Sequence, residues 1–205
     1  MAKKALVVSR NVLFEEGYFQ GFIDTSQRNF VPIILQNSSY MEREDKLEQD
    51  ESVQQIIPYV WIVNPVTKKV FIYKRTTTKD YKEERLKGKL SGGIGGHIDE
   101  TDSGHPIIDA MMRELREEVS MDVYPTPRVV GYINDDTDSV GRVHFGVVAI
   151  AETTREVKKG DDEMSEGRFY SIGELEELFQ NPQGFIVENW TKFSWPFVKQ
   201  YLTGN

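Results

Sequence analysis

The chain contains no cysteine and only three histidines among its 205 residues. The first absence excludes disulfides, a thiolate nucleophile and any cysteine-ligated zinc site. No apolar run approaches the roughly 18 residues that a membrane helix needs, so the sequence offers no membrane partner. The N-terminal Ala5-Leu6-Val7-Val8 stretch stops at Ser9-Arg10, shorter than the core of a secretory leader. A cytoplasmic setting is therefore expected. A surplus of positive charge is missing too: the formal charge is -8, which argues against bulk, sequence-independent binding to a nucleic-acid backbone. It leaves room for a small phosphorylated substrate held by local cations.

Several catalytic signatures are also missing. The glycine-rich run Gly92-Gly93-Ile94-Gly95-Gly96 lacks the Gly-Lys-Ser/Thr ending of a P-loop, and it fails the Gly-x-Gly-x-x-Gly spacing because Ile98 takes the last position. There is no Gly-x-Ser-x-Gly elbow and no His-Glu-x-x-His. Asp136, Asp138 and Gly141 faintly suggest a calcium loop, but Val147 stands where its last glutamate belongs, so a hairpin turn is the better reading.

What is present reads as one main domain. Ala5 to Val8 and Phe30 to Leu35 look like strands, and the polar, charged stretch Met41 to Ser52 marks a boundary near residue 50. Residues 1–50 are thus expected to be an N-terminal extension, and 51–205 the main domain. Within it, Ile56 to Val63 and Lys69 to Arg75 read as a hairpin, Pro106 to Val119 as a helix, and Arg128 to Ile133 and Val143 to Ala151 as two further strands. Ser171-Ile172-Gly173-Glu174 has capping-box spacing for a short helix through Phe179. An aromatic helix from Glu188 to Leu202, bent at Pro196, closes the chain. Its Trp190, Phe193, Trp195 and Phe197 read as core.

The Pro106 to Val119 helix carries the chemistry. At about 100° per residue, Ile108, Met111, Met112, Leu115 and Val119 share one face, and Arg113, Glu114, Glu117 and Glu118 share the opposite one. Placing Glu114 beside Glu117 and Glu118 costs about 0.2–0.5 kcal/mol per like-charge pair. Such a face is usually just solvated. Beside a glycine turn with an exposed carbonyl, however, it offers the oxygen-rich mixture that a hard divalent cation prefers, with phosphates as the remaining ligands.

In these residues the sequence resembles the Nudix family, whose box runs Gly-x5-Glu-x7-Arg-Glu-U-x-Glu-Glu-x-Gly-U, U being a bulky aliphatic residue. Arg113-Glu114-Leu115-Arg116-Glu117-Glu118-Val119-Ser120-Met121 matches the helical half except that Ser120 replaces glycine, and Gly95-Gly96-His97-Ile98-Asp99-Glu100 resembles the opening. Arg113 follows Gly96 by about three residues more than the box allows, through the loop Thr101 to Gly104. Counted back from Arg113, the first glutamate of the box falls on His105. The run Gly92 to Ile98 also looks like the branch of the family described as predicted phosphoesterases.

The resemblance implies an α/β fold, a mixed sheet sandwiched between helices, and a Mg2+-dependent hydrolase (Mn2+ as an alternative ion) acting on a phosphoanhydride bond. The substrate would be a nucleoside diphosphate linked to another moiety, or a related organic pyrophosphate. It implies a metal site of the Gly96 carbonyl with Glu117 and Glu118, and Glu114 as a ligand or as the base that activates water, oriented by Arg113. A later carboxylate, Glu163, with Glu166 and Asp162 as neighbours, is selected by its distance from Phe169. Arg75, Lys87 and Lys89 are candidate phosphate ligands. A homodimer is compatible with the resemblance, and a nucleotide-sensing module without turnover is the rival reading. An isomerase of the same fold would need a cysteine that this chain does not have.

Overall fold

The computed structural model describes residues 3–78, 86–160, 164–180 and 186–204. In chain order the elements are β1 (Lys4–Ser9), α1 (Arg10–Leu13), β2 (Gly21–Asp24), α2 (Val31–Asn37), β3 (Ser38–Glu42), β4 (Val53–Asn64), β5 (Lys69–Arg75), β6 (Leu90–Ser91) and β7 (Gly93–Ile94). There follow α3 (Pro106–Glu118), β8 (Val119–Ser120), β9 (Arg128–Asn134), β10 (His144–Glu152), β11 (Lys158–Lys159), β12 (Met164–Ser171), α4 (Ile172–Gln180) and α5 (Asn189–Thr203).

The large sheet runs β12-β5-β4-β10-β9-β2, with β1 beside β4 and β3 beside β1. It is mixed, because β10 lies parallel to β4 while β5, β9 and β1 pair antiparallel with their neighbours. β4 is the central strand, and its alternation sorts the core. Ile56, Val60 and Ile62 point to one face, where α3 packs through Ile107, Ala110, Met111 and Leu115. Tyr59, Trp61 and Val63 point to the other, where Leu175 of α4 and Trp195, Val198 and Leu202 of α5 cover them. Two buried faces explain why β4 and β10 read as nearly continuous apolar runs. The expected α/β/α layering is present.

α5 is fixed to the sheet by hydroxyls as well as by apolar packing. The Trp61 indole N–H donates to Ser194 Oγ at 3.0 Å, and the Tyr59 hydroxyl lies 2.7 Å from Thr191 Oγ1. Burial pushes the Tyr59 phenol pKa far above its ordinary value, so both hydroxyls stay neutral partners. Pro196 lies inside α5, and Gly204 ends it in the left-handed conformation at φ 75°, its N–H donating to the Gln200 carbonyl.

The N-terminal residues differ from their sequence reading in one respect. Val31–Asn37 is a helix, not a strand. Pro32 sits in its first turn, where a missing N–H costs nothing, and only Ile34 is fully buried, so the apolar run Phe30 to Leu35 is a short amphipathic turn against the core. The extension expected over residues 1–50 is continuous with the sheet: β1 pairs with β4, β2 with β9, and Leu6, Val8, Leu13, Phe30 and Ile34 join the α3-side core. Among the described residues, no helix is long and apolar enough to cross a membrane.

Candidate active site

The site forms where the β7 strand end meets α3. The glycines of this run are dictated by neighbours rather than by turn geometry. A Cβ on Gly95 would stand 1.8 Å from the Pro58 carbonyl oxygen, and one on Gly96 would stand 2.6 Å from Glu114 Oε1. These residues therefore let the main chain pass directly beneath β4 and alongside α3. Behind them, the Tyr73 hydroxyl and Ser91 Oγ both donate to the Gly93 carbonyl at 3.1 Å and hold the run in place.

α3 starts at His105, whose Nδ1 accepts from the Ile108 N–H, while the Asp109 carboxylate accepts from the N–H groups of Gly104 and His105 at 2.8 Å. His105 is thus a helix cap. The buried face of the helix includes Glu114 and Glu118, at 9% and 4% exposure, alongside Ile107 and Met111. Ile107, Met111, Glu114 and Glu118 make one stripe with helical spacing. The sequence reading put the glutamates on the face opposite the apolar residues; the helix is instead turned so that two of them face the glycine run. Only Glu117 is open to solvent, its side chain 57% exposed.

Glu118 Oε1 accepts from the Gly95 N–H at 3.2 Å. Arg113 Nη1 donates to Glu114 Oε1 at 2.6 Å and to Glu117 Oε2 at 3.3 Å, and Nη2 donates to the His97 carbonyl at 2.9 Å. Arg113 therefore ties the glutamates to the residue after Gly96. Its remaining edge is held by Asp102, with Nε to Oδ1 at 3.0 Å and Nη2 to Oδ2 at 2.9 Å. That carboxylate, followed by Glu114, holds the guanidinium pKa far above its ordinary value against the opposing effect of desolvation, so Arg113 is a permanent cation.

Asp102 is the residue that the sequence reading missed. It is 3% exposed and also accepts from the Asp99 N–H at 2.9 Å. The signal was available: counting the box's five intervening residues forward from Gly96 reaches Asp102, whereas counting back from Arg113 reaches His105. The extra residues lie between Asp102 and the helix, and a shorter carboxylate takes the glutamate's place.

The other candidates divide. Arg75 is buried and its Nε donates to Glu188, with the guanidinium over the Tyr73 ring. Lys87 and Lys89 are half-buried just before β6. Glu163 and Asp162 lie outside the described residues, and Glu166 is exposed on β12. His97, just after Gly96, meets Gln55 Oε1 at 2.8 Å and His144 Nε2 at 3.3 Å.

The model of the NUDIX domain matches residues 54–189. The chain belongs to the Nudix family. Along its length it is similar to the protein YmaB of Bacillus subtilis, at 29% identity over 206 residues covering 94% of this chain and 96% of the relative. The crystal structure of Tm1382, described as a candidate Nudix hydrolase, superposes with a TM-score of 0.77 and 29% identity, covering 97% of this chain and 99% of that one. A bifunctional NMN adenylyltransferase/ADP ribose pyrophosphatase from Francisella tularensis has a TM-score of 0.52 at 12% identity, covering 73% of this chain and 41% of that one, a likeness of fold alone. The likenesses to YmaB and Tm1382 cover 94% and 97% of this chain, whereas the NUDIX match begins only at β4.

The donor set of this Nudix site suits a hard divalent ion. Glu114 and Glu118, largely buried, lie against the Gly95-Gly96 backbone, the exposed Glu117 shares Arg113 with Glu114, and the chain has no thiolate to offer. The 2.6 Å gap that a Cβ at Gly96 would leave to Glu114 means that only glycine keeps its backbone against this carboxylate.

Proposed function

We propose that this Nudix hydrolase cleaves a phosphoanhydride bond in a nucleoside diphosphate linked to another moiety, or in a related organic pyrophosphate, with Mg2+ as its ion and Mn2+ as a substitute. One observation carries the reading: Glu114 and Glu118 turn inward from one helical ridge onto the Gly95-Gly96 backbone. Two largely buried carboxylates on successive turns of one helix favour a cationic ligand beside them.

The Gly96 carbonyl, Glu117 and Glu118 would hold the ion, with Glu114 as a further ligand or as the base. When bound, the ion supplies positive charge to the pyrophosphate oxygens as the bridging bond breaks. The protein's own groups do the rest. Glu114 accepts a proton from the attacking water at a carboxylate oxygen. Arg113, anchored by Asp102 and the His97 carbonyl, fixes that carboxylate's position. Lys87 and Lys89 are the proposed cations for the substrate phosphates, and Glu163 the proposed additional carboxylate. Arg75, spent on Glu188, is the weakest of the phosphate ligands. A nucleotide derivative as substrate, a cytoplasmic setting and a homodimer complete the proposal.

The test is release of phosphate or nucleoside monophosphate from a panel of dinucleotides, sugar nucleotides and nucleoside triphosphates, with Mg2+ and with chelator. Metal-dependent turnover of at least one pyrophosphate, abolished by Glu118→Gln in a folded protein, is expected. Near-normal turnover by that variant would reject the site.

A further inference from the structure

Three side chains from distant parts of the chain meet behind the Gly96 turn, and none has a role in the hydrolytic proposal. Glu48 lies in a short 3-10 turn over Leu47–Gln49, His97 follows Gly96, and His144 is the first residue of β10. One ligand atom from each lies within 4.8 Å of the others. His144 Nε2 is 3.3 Å from His97 Nε2 and 4.0 Å from Glu48 Oε2.

We propose that Glu48, His97 and His144 form a second metal site, for a borderline divalent ion of the zinc class, distinct from the glutamate cluster of α3. The distances and the tautomers support it. In a tetrahedral zinc site with Zn–N bonds of about 2.0–2.1 Å, two imidazole nitrogens stand about 3.3–3.4 Å apart, which is the separation of this pair. His144 Nδ1 lies 2.7 Å from the Val140 carbonyl, which can only accept. The proton therefore sits on Nδ1, and Nε2 turns its lone pair towards His97 and Glu48, the arrangement by which backbone carbonyls orient metal-binding histidines.

A plain hydrogen-bonded histidine pair accounts for less. His97 Nε2 has one proton at most in its neutral form, yet it faces two acceptors, His144 Nε2 at 3.3 Å and Gln55 Oε1 at 2.8 Å. The Gln55 Nε2 group, meanwhile, is buried with no hydrogen-bond partner. An ion takes the place of the contested proton, with Gln55 Oε1 within reach as a fourth, neutral ligand. Nitrogen donors with a single carboxylate favour zinc-class ions over magnesium.

Such an ion would staple the N-terminal segment to β10 and to the catalytic turn. Glu48 comes from the residues before β4, and the His97 carbonyl is the one that receives Arg113 Nη2. The site is thus structural in composition and lies one residue from Gly96.

The experiment is titration of the full, chelator-stripped chain with CoCl2, read by visible absorption, and with ZnCl2, read by calorimetry. One ion per chain with the intense bands of four-coordinate cobalt is expected. Glu48→Gln and His144→Asn should each weaken that site more than about tenfold, and the double variant Glu114→Gln/Glu118→Gln should retain it. Weak six-coordinate bands only, or wild-type cobalt binding in Glu48→Gln, would overturn the proposal, as would loss of the bands in the α3 double variant alone. Should His144→Asn fail to fold by circular dichroism, Glu48→Gln decides, since Glu48 is partly exposed and lies outside the main cores.

Discussion

Arg113 and Asp102 face each other in a two-bond, side-on pair, Nε to Oδ1 at 3.0 Å and Nη2 to Oδ2 at 2.9 Å. Planar guanidinium and carboxylate groups match in this geometry, which fixes direction as well as distance. Because Arg113 in turn touches Glu114, Glu117 and the His97 carbonyl, the pair sets where those two carboxylates stand.

Asp102→Asn tests that relationship. The amide keeps the shape but loses one acceptor and the charge. A fall in kcat of about 10- to 100-fold with KM little changed is expected, as for groups that orient a metal site's ligands, together with a loss of about 1–3 kcal/mol in stability. Steady-state kinetics and urea unfolding measure both; kcat within twofold of wild type would reduce Asp102 to a loop fastener.

Adjacent glycines should behave differently when each is replaced by alanine. A Cβ at Gly96 meets a side-chain oxygen of Glu114, which can swing aside, whereas at Gly95 it meets the Pro58 backbone at 1.8 Å. Gly96→Ala should therefore fold and lose activity by displacing Glu114. Gly95→Ala should lose stability by several kcal/mol, in the range of severe overpacking. Thermal melts of the two, side by side, would expose an error if Gly95→Ala melted with wild type.

Much of this was legible in the sequence because local patterns and tertiary packing agree. β5 spans the residues its alternation picks out, α3 starts at Pro106 as expected and ends at Glu118, one residue early because Val119 is already extended, and the Ser171 cap is where its spacing requires. Three features were not legible. The rotation of α3 that buries Glu114 and Glu118 depends on the glycine run beneath it, which removes side chains that would otherwise fill the space; helical periodicity alone sorts charged residues outward. The meeting of Glu48, His97 and His144 joins residues 96 positions apart through β-sheet register, and no local motif encodes that. The helix at Val31–Asn37 was misread because a six-residue apolar run has no period long enough to separate strand from helix.

Ion binding should appear as stability. A ligand that binds only the folded chain adds about 2.7 kcal/mol at 100 times its Kd, about 5–10 °C in Tm for a chain of this size. Wild type is expected to melt higher in Mg2+ and to return to its starting value with EDTA. Glu118→Gln should show little of this rise. A Mg2+ response in that variant equal to wild type would remove Glu118 from the ligand set.

The cap of α4 gives a pH-dependent prediction away from the site. The Glu174 carboxylate accepts from the Ser171 N–H and Oγ at 2.8 Å each and from Arg168 Nη1 at 3.0 Å. The backbone N–H of Ser171, then its hydroxyl, then Arg168 bring the Glu174 pKa down to about 2. A depressed carboxylate pKa favours the folded state once pH exceeds the unfolded value of about 4.3, and that contribution is lost as pH falls towards 2. The side chain is 44% exposed, so the Coulombic part from Arg168 is weak and the hydrogen bonds dominate. Ser171→Ala keeps the backbone donor and deletes the hydroxyl. It should raise the Glu174 pKa part of the way back and cost about 0.5–2 kcal/mol at neutral pH, a cost that shrinks as pH drops below 4. Carboxyl-carbon NMR titration of Glu174 in both proteins reads the shift, and an unchanged pKa in Ser171→Ala would show that the hydroxyl bond does not persist in solution.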